Sequence, residues 1–255
     1  MKLLTALRAE MLKTKRTASF YFTLIAAALI PAIILLNVLT DGGDLAAIRK
    51  DGMNAVFEMG AERSYLVFLP MFVILVCTLL PQIEYRNNTW KQVLAAPHSK
   101  GTVFLAKFLN VNGLILLFLV ANLVFLLVVI VVAHFAHPTL NLLSQPLNVT
   151  GFFIRTGNAY LTVLAMCAFQ FWLGLRFRNF ITPIAIGFVL WFTGMMMIFE
   201  FDAAIINLFP YSFQVFPILP KLQPKVTQVA WTSVAYAMLF LVLGFMDFRS
   251  RRLSS

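Results

Sequence analysis

FLNVNGLILLFLVANLVFLLVVIVVA, residues Phe108 to Ala133, is a run of 26 residues without an Asp, Glu, Lys or Arg. Coiled as an α-helix at 1.5 Å per residue it is about 39 Å long, more than the ~30 Å of hydrocarbon in a bilayer. Val124 to Val132 contains no polar residue at all, so the polar alternation of a membrane barrel strand is missing. Lipid offers no partner to an exposed backbone N–H or C=O, which leaves the helix as the form this stretch must take. Five more charge-free runs have similar length: Ala18 to Leu39, Tyr65 to Ile83, Thr156 to Leu175, Phe180 to Phe199 and Val226 to Met246.

Composition agrees. The 255 residues are 61% hydrophobic and 12% charged, against roughly 25% charged in an ordinary soluble domain. We read an all-α polytopic membrane protein of six transmembrane helices, about 18-39, 65-83, 108-133, 156-175, 180-199 and 226-246, in one domain over 1-255. No internal repeat, linker or second soluble domain is visible. The first span is expected to stay as an anchor, because a charged segment precedes it and no small-residue cleavage pattern follows.

Charge sets the orientation. With an N-in, C-in topology, 14 of the 20 Lys and Arg fall inside: Lys2, Arg8, Lys13, Lys15 and Arg16; Arg86, Lys91, Lys100 and Lys107; Arg176 and Arg178; Arg249, Arg251 and Arg252. Seven of the ten acids fall outside. This is the positive-inside pattern, and it accounts for the net charge of +10 through anionic membrane lipids without any nucleic acid.

The segments between spans carry their own signals. KLLTALRAEMLKTKR, at residues 2–16, spaces Leu4, Leu7 and Met11 helically and suits an amphipathic helix in the headgroup plane. Thr40 to Ser64 can hold one short surface helix, over DLAAIRKDGMNAVFEMG. FEFDAAIINLFPYSFQVFPILPKLQPK, before the last span, is broken by Pro210, Pro217, Pro220 and Pro224. It reads as a pair of short, broken helices dipping into the outer leaflet and packed against protein so that their free backbone groups find partners, or as an interfacial aromatic loop held by Phe209, Tyr211, Phe213 and Phe216.

Few residues could do chemistry. There is no G-x-x-x-x-G-K-[ST], H-E-x-x-H or G-x-S-x-G motif, and no ionisable group in the middle of a span. Cys77 and Cys167 lie in apolar runs and read as small buried side chains. His134 and His137 form an H-x-x-H too sparse for a metal site, so no metal and no cofactor are expected in this chain. Asn112, Asn122, Gln170 and Thr193 are the polar groups that could line a substrate path, with interhelical hydrogen bonding as the other reading.

The longest inner interruption is EYRNNTWKQVLAAPHSKGTVFLAK, Glu84 to Lys107. Asn88 or Thr89 can cap a helix whose Trp90, Val93 and Leu94 share one face and which Pro97 ends; Ser99 can cap the next. The acid and Arg after the second span, the short helix and Pro, the basic amphipathic start and the broken segment before the last span together resemble the membrane subunit of ABC-2 type exporters, of the short-loop branch that includes bacteriocin- and lantibiotic-immunity permeases. The resemblance implies that Glu84, Arg86, Asn88, Trp90, Lys91, Val93 and Leu94 form a cytoplasmic coupling helix touching a separate ABC ATPase. It further implies a second permease copy or a homologous permease, ATP and Mg on the partner ATPase, no catalysis by this chain, a bacterial cytoplasmic membrane and a hydrophobic peptide, lipid or drug-like cargo. An ion-coupled carrier, or a membrane scaffold or enzyme using His98, His134 or His137, is the alternative.

Overall fold

The computed structural model describes residues 2–15, 17–40, 42–95, 98–140, 142, 146–201 and 204–250, and these contain no strand. Among the described residues nine α-helices follow one another: α1 (Lys2–Lys15), α2 (Ala18–Leu39), α3 (Asp44–Arg63), α4 (Leu69–Arg86), α5 (Trp90–Ala95), α6 (Lys100–Ala136), α7 (Val149–Arg176), α8 (Ile181–Phe199) and α9 (Val226–Ser250). Six helical stretches are long and apolar enough to cross a membrane: Ser19–Leu39, Asp44–Arg86, Lys100–Ala136, Val149–Arg176, Ile181–Phe199 and Gln223–Ser250. The six expected spans lie within or against these six. At 37 residues, α6 is about 55 Å long and must project beyond the hydrocarbon.

One expectation is corrected. The segment after the first span is not a short surface helix. Its chain breaks at Asp51 and Gly52, where Gly52 takes φ 54°, ψ −131°, a conformation open to glycine. From Met53 it runs through Arg63 and a π-helical turn, Ser64–Phe68, straight into α4. Val56, Phe57 and Ala61 are buried, and Gly60 lets Leu126 of α6 approach so closely that a Cβ there would sit 2.5 Å from its methyl carbon. The second span is thus nearly twice as long as its charge-free run. Glu58 and Glu62 hid it from a charge-based reading, although the face they leave free is apolar.

The segment before the last span is broken into short helical pieces packed on the bundle. It folds as three 3₁₀ turns, Ala204–Leu208, Phe213–Val215 and Gln223–Lys225. Tyr211, Phe213, Val215 and Phe216 are buried, and Phe213 and Phe216 share a core with Ala165 of α7 and Val226 and Val229 of α9. The prolines forbid a continuous helix, and the aromatic residues find cover inside the protein instead of in lipid.

Close helix crossings rest on glycine. A Cβ at Gly174 of α7 would lie 2.5 Å from the Cys77 carbonyl oxygen and 3.0 Å from Thr78 Cα of α4, so the two backbones touch. Beside that crossing the Cys77 and Cys167 sulfurs are 3.6 Å apart as free thiols. At the end of the bundle away from α5, Arg63 donates to both carboxylate oxygens of Asp44, at 2.6 and 2.8 Å, and Asn37 donates to the same group at 3.0 Å. The three join α2 to both ends of α3.

Candidate functional site

The polar interruption Glu84 to Lys107 forms an elbow. Helix α4 closes with Asn88 at φ 52°, the amide of Asn88 donating to Tyr85 O at 3.3 Å and that of Thr89 to Glu84 O at 3.0 Å. That is the Schellman pattern, so Asn88 ends the second span and does not cap α5. The start of α5 is set by Thr89, whose carbonyl accepts the Val93 amide at 3.0 Å. Ser99 caps α6 as expected, its hydroxyl accepting from the Thr102 amide at 3.2 Å. Pro97, the expected end of α5, lies outside the described residues.

The elbow stands on a buried ion-pair cluster. Lys107 Nζ, on the first turns of α6, lies 2.6 Å from Glu84 Oε1 of α4 and 2.9 Å from Glu10 Oε2 of α1. Lys13 Nζ lies 3.0 Å from Glu10 and 3.4 Å from Glu84. Glu84, Lys107 and Glu10 are 2%, 5% and 8% exposed. One turn further along α1, Thr14 Oγ1 accepts from Asn110 Nδ2 at 2.6 Å. Burial alone would raise the Glu10 carboxyl, but the Lys107 ammonium beside it, helped by Lys13, holds it below its ordinary value. The cluster holds two acids and two bases: Glu10, Glu84 and Lys107 are buried, and the exposed Lys13 balances the second acid from the solvent side.

Trp90 covers this base. It is 6% exposed, its ring lies 5.4 Å from Tyr85 and 5.7 Å from Phe248 of α9, and Lys107 Nζ is 5.5 Å from its centre. The Trp90 face of α5 therefore turns into the bundle. Arg86, Asn88 and Gln92 point outward and Val93 is half-buried, while the side chains of Lys91 and Leu94 lie outside the described part of the chain. Of the expected contact residues, Glu84 and Trp90 are internal, and Arg86 and Asn88 are exposed.

The expected path residues are placed between helices. Gln170 of α7 donates to Thr78 Oγ1 at 3.0 Å and Pro183 O at 2.7 Å, and accepts from the Tyr211 hydroxyl at 2.9 Å. Asn122 of α6 donates to Ala27 O at 2.9 Å and Ser64 Oγ at 3.0 Å. Asn112 donates to Phe108 O of its own helix and accepts from Tyr160 at 3.1 Å. Thr193 is exposed on α8, bonded to Val189 O. The structure does not bring these four together. The recess lined by Glu10, Leu80, Pro81, Lys107, Asn110 and Phe171 has no room for a water molecule.

The sequence reading missed Glu10, Lys13, Tyr85 and Phe248 as parts of the elbow. Ala6, Glu10 and Thr14, four apart, form the buried stripe of α1, but Thr5, Ala9 and Lys13 make a similar stripe that is exposed, so spacing alone did not single out Glu10. His137 bonds Val38 O through Nε2 at 2.9 Å, and no group of three metal-ligating side chains occurs among the described residues.

A comparison with known families matches most of this chain. The family model described as ABC-2 family transporter protein covers residues 6–194, from α1 into α8, and so takes in the elbow and its whole ion-pair base. The chain belongs to the ABC-2 transporter family. It is accordingly an ABC-transporter permease and a multi-pass membrane protein, and its family implies an ABC ATPase as partner. No curated protein matches this ABC-2 permease.

Proposed function

We propose that this chain is the permease half of an ATP-driven exporter, without catalysis of its own, whose α5 elbow is the docking piece for a separate ATPase subunit. The observation that carries this is an elbow with an outward edge of Arg86, Asn88 and Gln92, fixed from behind by an ion-pair base joining α1, α4 and α6. A docking piece must be exposed where it meets its partner and stiff where it meets the spans, since a yielding base would absorb displacement instead of passing it on. ATP and Mg bind the partner. The end rich in Lys and Arg faces the cytoplasm of a bacterial cell, by the positive-inside rule. A second permease copy completes the path, and the cargo is a hydrophobic peptide, a lipid or a drug-like molecule, consistent with spans that carry no ionised group at mid-depth.

The test is co-purification with an ATPase encoded beside this chain, and stimulation of its ATP hydrolysis in lipid. An Arg86→Glu, Gln92→Glu double variant is expected to weaken the association at least tenfold. Liposomes holding this chain alone that drive cargo uphill would overturn the reading.

A further inference from the structure

The apolar interior divides into separate cores. One takes in Trp90 and Phe248 behind the elbow; a second, with Ile34, Val38, Ile48, Val56, Val129 and Ile130, lies toward the end where Arg63 binds Asp44. Helix α2 passes from the first core to the second after Ala27, the α3–α4 span between Ala61 and Phe57, α6 between Leu119 and Leu126, and α7 between Ala159 and Phe152. These crossing points touch one another. Asn122 of α6 donates to Ala27 O of α2 at 2.9 Å and to Ser64 Oγ at 3.0 Å, and the hydroxyl of the next residue, Tyr65, lies 3.1 Å from Thr156 Oγ1 of α7. A polar seam therefore separates the two cores.

Regular helix bonding is interrupted at the same seam. Pro31 has no N–H, so Ala27 O finds no partner within α2, and Asn122 supplies one. Pro70 likewise offers no N–H to Leu66 O, and just before it the chain widens into the π-helical turn Ser64–Phe68, where the Leu69 amide reaches back five residues to Ser64 O. The cores meet at that turn: Tyr65 lies in the first, Phe68 packs on the first and the second, and Leu66 packs on the one that holds Phe213 and Phe216. Asn122 is 1% exposed, both its amide hydrogens are used, and its Oδ1 has no partner among the described residues. The Ser64 hydroxyl accepts from Asn122 Nδ2, and after a small displacement it would donate to Oδ1 instead. The same groups thus support two hydrogen-bonded arrangements, the kind of bistable contact through which packed units switch.

We propose that the parts of α2, α3, α6 and α7 around the second core form one lobe that turns as a body about this seam, with Asn122 and Ser64 as its positioning pair, and so opens and closes the end of the permease that the proposed orientation places outside. A packed core moves as a unit because its interior yields little, and the proline kink and π turn are where helices bend. The lobe has its own ties: Arg63 and Asn37 to Asp44, and Asn54 to Pro146 O at 3.3 Å and to the Asn148 amide at 3.0 Å. Its use in transport rests on the permease reading above; the turning itself does not.

The test puts spin labels on exposed positions in nanodiscs and reads distances by electron resonance; Cys77 and Cys167, 0% exposed, stay in place. Lys50→Cys with Phe135→Cys lies within the lobe, and Lys50→Cys with Leu208→Cys runs from the lobe to the segment before the last span. In the chain alone, the 50–208 distances are expected to be at least twice as broadly distributed as the 50–135 distances. Between the nucleotide-free and ATP–vanadate states of the permease–ATPase complex, the 50–208 distance is expected to shift by several ångströms while 50–135 stays fixed. Ser64→Ala, which removes the hydroxyl and little volume, is expected to reduce that shift at least twofold with the ATPase still bound. Equal widths, no 50–208 shift, a 50–135 shift of the same size, or an undiminished shift in Ser64→Ala overturns the proposal. The label pairs carry no core substitution, so they decide even if Ser64→Ala fails to fold. Failure of the unlabelled chain to bind an ATPase would instead sink the docking reading, and the widths in the chain alone would still decide the lobe.

Discussion

Lys107 Nζ lies 2.6 Å from Glu84 Oε1, and the two residues are 5% and 2% exposed, so the helices on either side of the elbow are joined by an ion pair shielded from water. The pair is 23 residues apart in sequence, and its partners Glu10 and Lys13 come from the start of the chain. Such a cluster gains little over apolar packing, yet removing one member is costly, because the other charge stays buried.

Lys107→Met should therefore destabilise the protein by about 3–5 kcal/mol. Lys107→Met with Glu84→Gln should recover a large part of that loss, since Lys13 still balances Glu10. Chemical denaturation in detergent, followed by circular dichroism, measures both. A double variant no better than the single would show that the pair is not the buried unit described.

The docking of α1 should depend on pH at both extremes. Glu10 is held below its ordinary 4.5, so its contribution is present above that value and lost as pH falls through the lower folded value. Lys13, which desolvation would lower, is instead held above its ordinary 10.5 by Glu10 and Glu84. Its contribution is complete below 10.5 and lost as pH rises through the higher folded value. Hydrogen exchange of Lys2–Lys15, corrected for intrinsic rates, should thus be protected across the range between and rise at either end. Loss of protection near pH 7 would contradict this.

Gly174→Ala should destabilise by about 1–3 kcal/mol, because its methyl would meet backbone atoms of α4 that have no rotamer to change. Gly157→Ala, in the same helix with nothing within 4 Å of the added carbon, should be neutral or stabilise by up to about 1 kcal/mol. Melting temperatures of the two variants in one detergent separate the cases. The same sign for both would remove the α4–α7 crossing as the explanation.

Gln170→Leu leaves Thr78, Pro183 O and Tyr211 short of a partner and should cost about 1–3 kcal/mol. Thr193→Val, exposed on α8, should stay within about 0.5 kcal/mol. Equal thermal stability of the two variants would show that the Gln170 network does not hold the helices together.

Much of the fold is legible along the chain because crossing a membrane is a local demand. A run such as Phe108 to Ala133 needs only its own backbone bonds and its own apolar side chains to be stable in lipid, so length and charge placement suffice to find it. Ser99 as the cap of α6 is equally local. Where the rule failed, a neighbour changed the solvent: Met53 to Arg63 is covered by α6, so it did not need the composition of a span.

The sequence by itself determined six membrane-crossing helices, a polar elbow between the second and third, and the resemblance that placed the chain among ABC-2 permeases. Only the tertiary structure decided which way the elbow faces: Trp90 inward onto Phe248, Arg86 and Asn88 outward, and Glu84 against Lys107 and its companions. The reason is reach in sequence. Glu10 and Lys107 are 97 positions apart, and a buried charge finds its counter-charge through the packing of whole helices, which local spacing does not encode.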